Sequence, residues 1–196
     1  MANLLAIHSV ANSIMTFLRN TYPQNIAGQP APDCTFDVVS SGELAGELSD
    51  AARLTLYLYR VTINEHSRQA RPATAPHARS LPLGLDLHLL LTVWAGNALD
   101  EHIMLAWAMR QLHLFPILDA SFLSPEAGWG RDEVIQLIPA ELPTEDMMRI
   151  WDALDPAFRL SVSYTARLVR LDPDSLEPDA LPIVARRLAY GEELVP

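Results

Sequence analysis

Hydrophobic residues recur along this chain in two rhythms. In the opening segment Leu4, Ile7, Ala11, Ile14 and Leu18 return at steps of three and four, the spacing of one face of an amphipathic helix. The opposite face, Asn3, Ser9, Asn12, Ser13 and Thr16, is polar but uncharged, so it is either ordinary solvated surface or a face partly buried against a partner. Residues 21–33 hold Pro23, Gly28, Pro30 and Pro32 and predict a connector in which no helix persists. A short strand is predicted over 35–39, followed by a turn-rich stretch at 40–50.

The second rhythm is alternation. Leu54, Leu56 and Leu58 alternate with Thr55, Tyr57 and Tyr59 and predict a strand over 53–62. Another strand is predicted where Leu85, Leu87, Leu89, Leu91 and Val93 alternate with Asp86, His88, Leu90, Thr92 and Trp94. Its later part is apolar on both faces, as in a strand at the centre of a sheet. Residues 97–115 read as a helix with Asp100 and Glu101 near its start, Leu105, Ala108, Met109 and Leu112 on one face, and Pro116 ending it. A turn region follows at 123–134, then a strand over 134–138 and a helix over 144–154 whose buried stripe is Met147, Trp151 and Leu154. Residues 158–171 alternate Leu160, Val162, Tyr164, Ala166 and Leu168 with Ser161, Ser163, Thr165 and Arg167, a strand with one wet face.

These elements predict an α+β fold: a mainly antiparallel sheet of long strands packed by the N-terminal helix and two further helices. The chain has 196 residues, enough for one domain with an appendage. The domain is expected at 1–171. The appendage at 172–196 opens with the acidic linker DPDSLEPD and continues as an apolar, Arg-bearing arm too short to fold alone, which docks on the body or on a neighbouring subunit. Between the two long strands, residues 64–82 show no apolar periodicity, and a loop of that length inside a domain is usually functional or disordered.

Composition narrows the function. The single Cys34 excludes an intrachain disulfide and a multi-cysteine zinc site, and it suggests a reduced, cytoplasmic protein. The first twenty residues make a poor signal peptide, with no basic residue before Arg19 and with His8 and Asn12 inside the apolar run. The longest near-apolar run, 85–95, is about half of the roughly 20 residues a membrane-spanning helix needs. Net charge is −10, which argues against nucleic acid as a partner.

Catalytic patterns are sparse. None of the six His falls in a metal-binding spacing, and His102 and His113 are about 16 Å apart along a helix at 1.5 Å per residue. Asp86 and His88 share a strand face and could form a catalytic pair with a distant Ser, but a strand face with ordinary polar contacts is much the stronger reading. There is no nucleophile elbow, and a Walker motif is impossible because the 14 cations are all Arg. Gly128-Trp129-Gly130 reads as a turn. We therefore expect no catalytic residue, no metal and no cofactor, and a small cytosolic enzyme using Asp86, His88 and Thr92 stands as the alternative of another class.

Charge is segregated. Residues 119–155 carry nine carboxylates against Arg131 and Arg149, net −7, while 156–171 carry Arg159, Arg167 and Arg170 with no acid, net +3. The 64–83 loop, with Arg68, Arg71 and Arg79 against Glu65, is +2, and the linker at 172–179 is −4. Opposite patches on one chain suit head-to-tail contacts between identical subunits. The expected interface residues are Arg68, Arg71, Arg79, Arg159, Arg167, Arg186, Arg187, Leu188 and Tyr190.

The run LTLYLYRVTINEHSR from Leu54, a loop, and RSLPLGLDLHLLLTVWA from Arg79 are followed in order by HIMLAWAMRQLHLFPIL, LPTEDMMRIWDAL and FRLSVSYTARLVRLD. This ordered set, from Asn3 to Asp172, resembles the cap or tail-terminator proteins of phage-tail-like contractile injection systems of the antifeeding-prophage type. Residues 79–83 lack the fuller proline run of that family, and longer members continue past this domain. The resemblance implies a mixed α/β domain, a hexameric ring at the tail end that stops tube and sheath polymerisation, tube and sheath proteins as partners, and neither enzyme activity nor a cofactor. A tube-initiating or baseplate accessory protein is the alternative within the structural class.

Overall fold

A computed structural model describes residues 2–26, 28–46, 51–64, 82–154 and 157–172. The helices are α1 (Ala6–Thr21), α2 (Ser41–Leu44), α3 (Ala98–Leu114) and α4 (Thr144–Leu154). The strands are β1 (Asn25–Ile26), β2 (Gln29–Pro30), β3 (Thr35–Val39), β4 (Arg53–Ile63), β5 (Leu83–Trp94), β6 (Ile117–Asp119), β7 (Val134–Pro139) and β8 (Ser161–Leu171). One six-stranded sheet runs in the order β3-β4-β5-β8-β7-β6, with β3 parallel to β4 and every other pairing antiparallel. The α+β architecture expected from the two rhythms is the one observed. The connector at 21–33 additionally folds β1 and β2 into a small hairpin whose turn holds Gly28 at φ +80°, a conformation that costs glycine little.

The alternation in β5 decides the layering. Leu85, Leu87, Leu89, Leu91 and Val93 are buried on one face with Leu54 and Leu56 of β4, under α1 and α3. Leu90 and Trp94 point the other way and pack with Val39, Leu44, Trp151 and Leu154, under α2 and α4. A strand buried on both faces belongs mid-sheet, and β5 lies there between β4 and β8. Truncating any of its fully buried leucines to Ala is expected to cost about 2–5 kcal/mol.

Three expectations need correction. On α3, Met109 is exposed, and the buried set is Met104, Leu105, Trp107, Ala108 and Leu112. The polar face of α1 is solvated only in part: Ser9 and Ser13 are buried against the segment before β7 of the same chain, while Asn3 is exposed and Asn12 and Thr16 are half-buried. Ser9 Oγ accepts from Trp129 Nε1 at 2.9 Å and donates to the Ser124 carbonyl, while Ser13 Oγ accepts the Ser124 N–H at 2.8 Å. The Ser/Thr face of β8 is likewise not wet. Tyr59 Oη lies 3.0 Å from Ser163 Oγ, and Thr92 Oγ1 lies 2.9 Å from Ser161 Oγ, so these hydroxyls satisfy one another across the sheet.

The turn-rich stretch after β3 also contains structure that its sequence encodes. Ser40 accepts the Glu43 N–H while the Glu43 carboxylate accepts the Ser40 N–H at 2.7 Å, a reciprocal cap that starts α2. Among the described residues, no helix is long and apolar enough to cross a membrane.

Candidate interaction surface

Two irregularities in the long strands shape the His88 end of the sheet face on which α2 and α4 pack. The first is in β4. Its pairing with β5 steps between Leu58 and Arg60, leaving Tyr59 as an extra residue. Strict alternation would put Arg60 on the same face as Leu54, Leu56 and Leu58. The bulge instead returns Val61 and Ile63 to that face and sets Arg60 directly across from His88 on the other.

The second irregularity is in β8, where Leu85 pairs with Val169 and Leu87 with Ala166, so that Arg167 and Leu168 together face Asp86. Leu168 has φ 64°, a left-handed backbone that a leucine adopts only under constraint. The constraint is visible: Asp86 Oδ1 accepts the Leu168 N–H at 3.1 Å, and both Asp86 oxygens accept from Asn64 Nδ2 at 3.0 Å.

His88 lies between these features. Its Nε2 is 3.0 Å from Thr62 Oγ1 and its Nδ1 3.3 Å from Thr165 Oγ1. Partial burial holds its pKa below the ordinary histidine value, and the Arg60 guanidinium adds to that effect. The expectation that Asp86 and His88 share a face holds, but their partners are Asn64, Leu168, Thr62 and Thr165. That is a structural web around two bulges, and among the described residues the hydroxyls bonded to His88 are those of Thr62 and Thr165. The thiol of Cys34, pushed up to about 12 chiefly by burial, stays protonated. Among the described residues no cluster of three or more His, Cys, Asp or Glu has the arrangement to hold a metal ion.

Of the expected interface residues, Arg159 and Arg167 are described. Both belong to the β8 region, but they are eight residues apart, about 26 Å at 3.3 Å per residue, and do not form one patch. Arg159 lies over the Trp94 ring at 5.3 Å and faces Glu101 at 3.6 Å, so it is committed to its own fold. Arg167 is exposed at the bulge. Arg68, Arg71, Arg79, Arg186, Arg187, Leu188 and Tyr190 lie outside the described residues. Arg60 was missed. The signal for it is the change of apolar parity in the sequence, from even numbers through Leu58 to odd numbers at Val61 and Ile63.

The sheet also has an incompletely covered edge. β3 pairs with β4 only from Arg53 to Tyr57, so among the described residues the outer side of β4 from 58 to 63 has no strand partner. Val61, Ile63 and Leu83, all at that end of the sheet, are exposed.

A profile of the Pvc16 N-terminal domain family matches residues 9–185. No curated protein sequence matches the chain. Among solved structures it is similar to the sheath/tube terminator of PVC, an extracellular contractile injection system, in its extended state. The sequence identity is 20%, the TM-score 0.54, and the match covers 95% of this chain and 63% of that one. It is also similar to the tube-terminating cap of the anti-feeding prophage, with 13% identity and a TM-score of 0.54 over 92% of this chain and 60% of the other. The chain thus spans about three fifths of the length of these two structures. At such identities the likeness is one of fold, to two tube or sheath terminators. The profile match covers most of the sequence, and the chain belongs to the Pvc16 N-terminal domain family.

Proposed function

We propose that this protein is a tail terminator of a contractile injection system, six copies of which form a ring that seats on the last layer of tube and sheath and ends their polymerisation. The carrying observation is membership of the Pvc16 N-terminal domain family, joined to a fold shared with two terminator caps. In this reading the protein acts through contacts with tube, sheath and its own copies. It works in the cytoplasm as a component of the assembled particle, with no catalytic step and no cofactor.

The surface suits that role. The outer side of β4 from 58 to 63 offers unpaired backbone groups beside the exposed Val61 and Ile63, a place where an extended arm of a sheath subunit adds as a further strand. The excess of carboxylates over 119–155, net −7, and the exposed Arg167 at the bulge favour head-to-tail contacts between copies. The loop at 64–83 and the arm at 181–196 carry the remaining contacts.

Two deletions test the assignment: one of residues 66–80 and one of 181–196, each expressed with the rest of its particle. The expected outcome is loss of rings and tails of uncontrolled length. Normal rings and normal tails from both deletions overturn the role of these segments. Particles labelled on this protein and imaged by electron microscopy should carry the label at the end away from the baseplate with six-fold symmetry; label at the baseplate overturns the terminator reading itself.

A further inference from the structure

A helix that packs on a sheet normally turns charged and polar residues outward, but α3 is apolar on both sides. Its inner side buries Met104, Leu105, Trp107, Ala108 and Leu112. Its outer side carries Leu99 and Leu114, 54% and 59% exposed, with the half-buried Ile103 and the exposed Ala106 and Arg110 between them. Leu99, Ile103, Ala106 and Arg110 follow one another at steps of four, three and four, the spacing of a seam that packs on a second helix. Ile103, Ala106, Trp107 and Arg110 also line a cleft of about 430 Å³ whose far wall is Pro23 and Ile26 of the connector. Among the described residues Arg110 has no ion pair.

The matching stripe is on α4. Glu145, Met148 and Asp152, at steps of three and four, are exposed, whereas Trp151 and Leu154 on its inner side are buried. Glu145 is bonded to Arg149 at 2.6 Å, but Asp152 has no ion pair among the described residues. Ala106 to Arg110 and Met148 to Asp152 are each four residues, about 6 Å of helical rise. When the two helices lie parallel, Met148 enters the cleft over Ala106, whose small side chain admits it, and the Asp152 carboxylate comes level with the Arg110 guanidinium. One apolar anchor and one charge pair are then satisfied together.

The two stripes do not meet within one chain, because α3 and α4 cover opposite faces of the sheet. For the same reason two copies cannot exchange the contact mutually about a two-fold axis. The contact is head-to-tail, repeats from copy to copy, and closes into a ring where the rotation permits. We infer that the outer face of α3 seats α4 of a second copy of this chain, with Met148 in the cleft beside Ala106 and Asp152 paired to Arg110. This names a seam of the ring proposed above and rests on that reading.

Cysteine pairs test the seam in the full chain, expressed with the rest of its particle. Packed helices lie about 8–10 Å apart, which brings facing side chains within disulfide reach. In a Cys34→Ser background, Ala106→Cys combined with Met148→Cys is mildly oxidised and resolved on a non-reducing gel. The control combines Ala106→Cys with Gln136→Cys, an exposed position on β7. The expected result is a ladder of linked chains that extends past the dimer, at least fivefold stronger than the control. Arg110→Glu and Asp152→Arg should each lower its yield about threefold or more, and the two together should restore it. A ladder that stops at the dimer, or a yield no higher than the control, overturns the seam. So does an Ala106→Cys thiol that is shielded from reagents yet unlinked to Met148→Cys, which assigns the cover of α3 to another particle subunit. Label at the end away from the baseplate with six-fold symmetry but no ladder removes the seam and leaves the terminator. A ladder with label at the baseplate does the reverse.

Discussion

The Asp86 carboxylate accepts the backbone N–H of Leu168 at 3.1 Å and so holds a leucine at φ 64° in the middle of a strand. A bulge residue in this conformation is usually glycine, and a leucine there stores strain on the order of 1–2 kcal/mol. Asp86→Ala removes the acceptor of the Leu168 N–H and the Asp86 contacts of Asn64 Nδ2. The expected loss is about 1–3 kcal/mol, read as a lower urea midpoint with an unchanged m-value. Asp86→Asn should cost less, because its carbonyl oxygen still accepts from Leu168.

Ser9 serves α1 as a buried junction rather than as a solvated residue. Ser9→Ala leaves the Trp129 indole N–H and the Ser124 carbonyl without this partner, so about 1–3 kcal/mol of stability should be lost, and the tryptophan emission of the folded protein should shift. Thr16→Ala, on the same polar stripe one turn beyond Ser13 but only half-buried, should change stability by less than about 0.5 kcal/mol.

His88 has a folded-state pKa below its unfolded value of about 6.5, chiefly through burial. In the window below about 6.5 the unfolded chain therefore binds more protons than the folded one, and stability falls as pH drops through it. His88→Gln should flatten that part of the stability profile while leaving the carboxylate-driven loss at lower pH. An unchanged slope between pH 6.5 and 5 contradicts the shift.

Arg159 and Arg167 should separate in any assembly assay. Arg159→Ala loses a half-exposed cation over Trp94 and a weak ion pair with Glu101, a stability cost of about 0.5–1 kcal/mol. Ring formation at saturating protein should be unaffected. Arg167→Glu makes no stability change beyond about 0.5 kcal/mol but alters the charge of the open half-face, so its effect should appear in assembly and in its salt dependence. Sedimentation velocity at low and high salt reads both.

The long elements were legible because each carries its period over enough residues. β3 at 35–39 and α4 at 144–154 fall where the pattern put them, and α3 is displaced by a single residue at each end. What periodicity hid was pairing and partnership. The parallel join of β3 to β4 depends on α2 crossing over, and α2 is four residues long, too short to show a helical period; its signal was the Ser40/Glu43 cap. The three-residue β6 likewise has no period of its own and exists because β7 offers it an edge. The α1 serines looked like surface because burial among hydroxyls, an indole and main-chain groups leaves no trace in hydrophobicity. Arg60 was missed for a simpler reason: a one-residue bulge inverts every face after it. With Tyr59 left out, the alternation runs unbroken from Leu54 to Ile63.

The position of β8 in the sheet bears on how the chain folds during synthesis. It is the last of the described strands in sequence, yet it fills the slot between β5 and the β6–β7 pair. Until residues 161–171 leave the ribosome, β5 and β7 each present an open hydrogen-bonding edge, and the apolar faces of Leu87, Leu89 and Leu91 lack one flank. The β5–β8 pairing joins residues about 70–90 positions apart, so its loop-closure entropy falls late and slows folding. A nascent chain arrested before Ser161 should therefore be the most aggregation-prone species in its biogenesis, and the final eleven residues of the sheet act as its closing wedge.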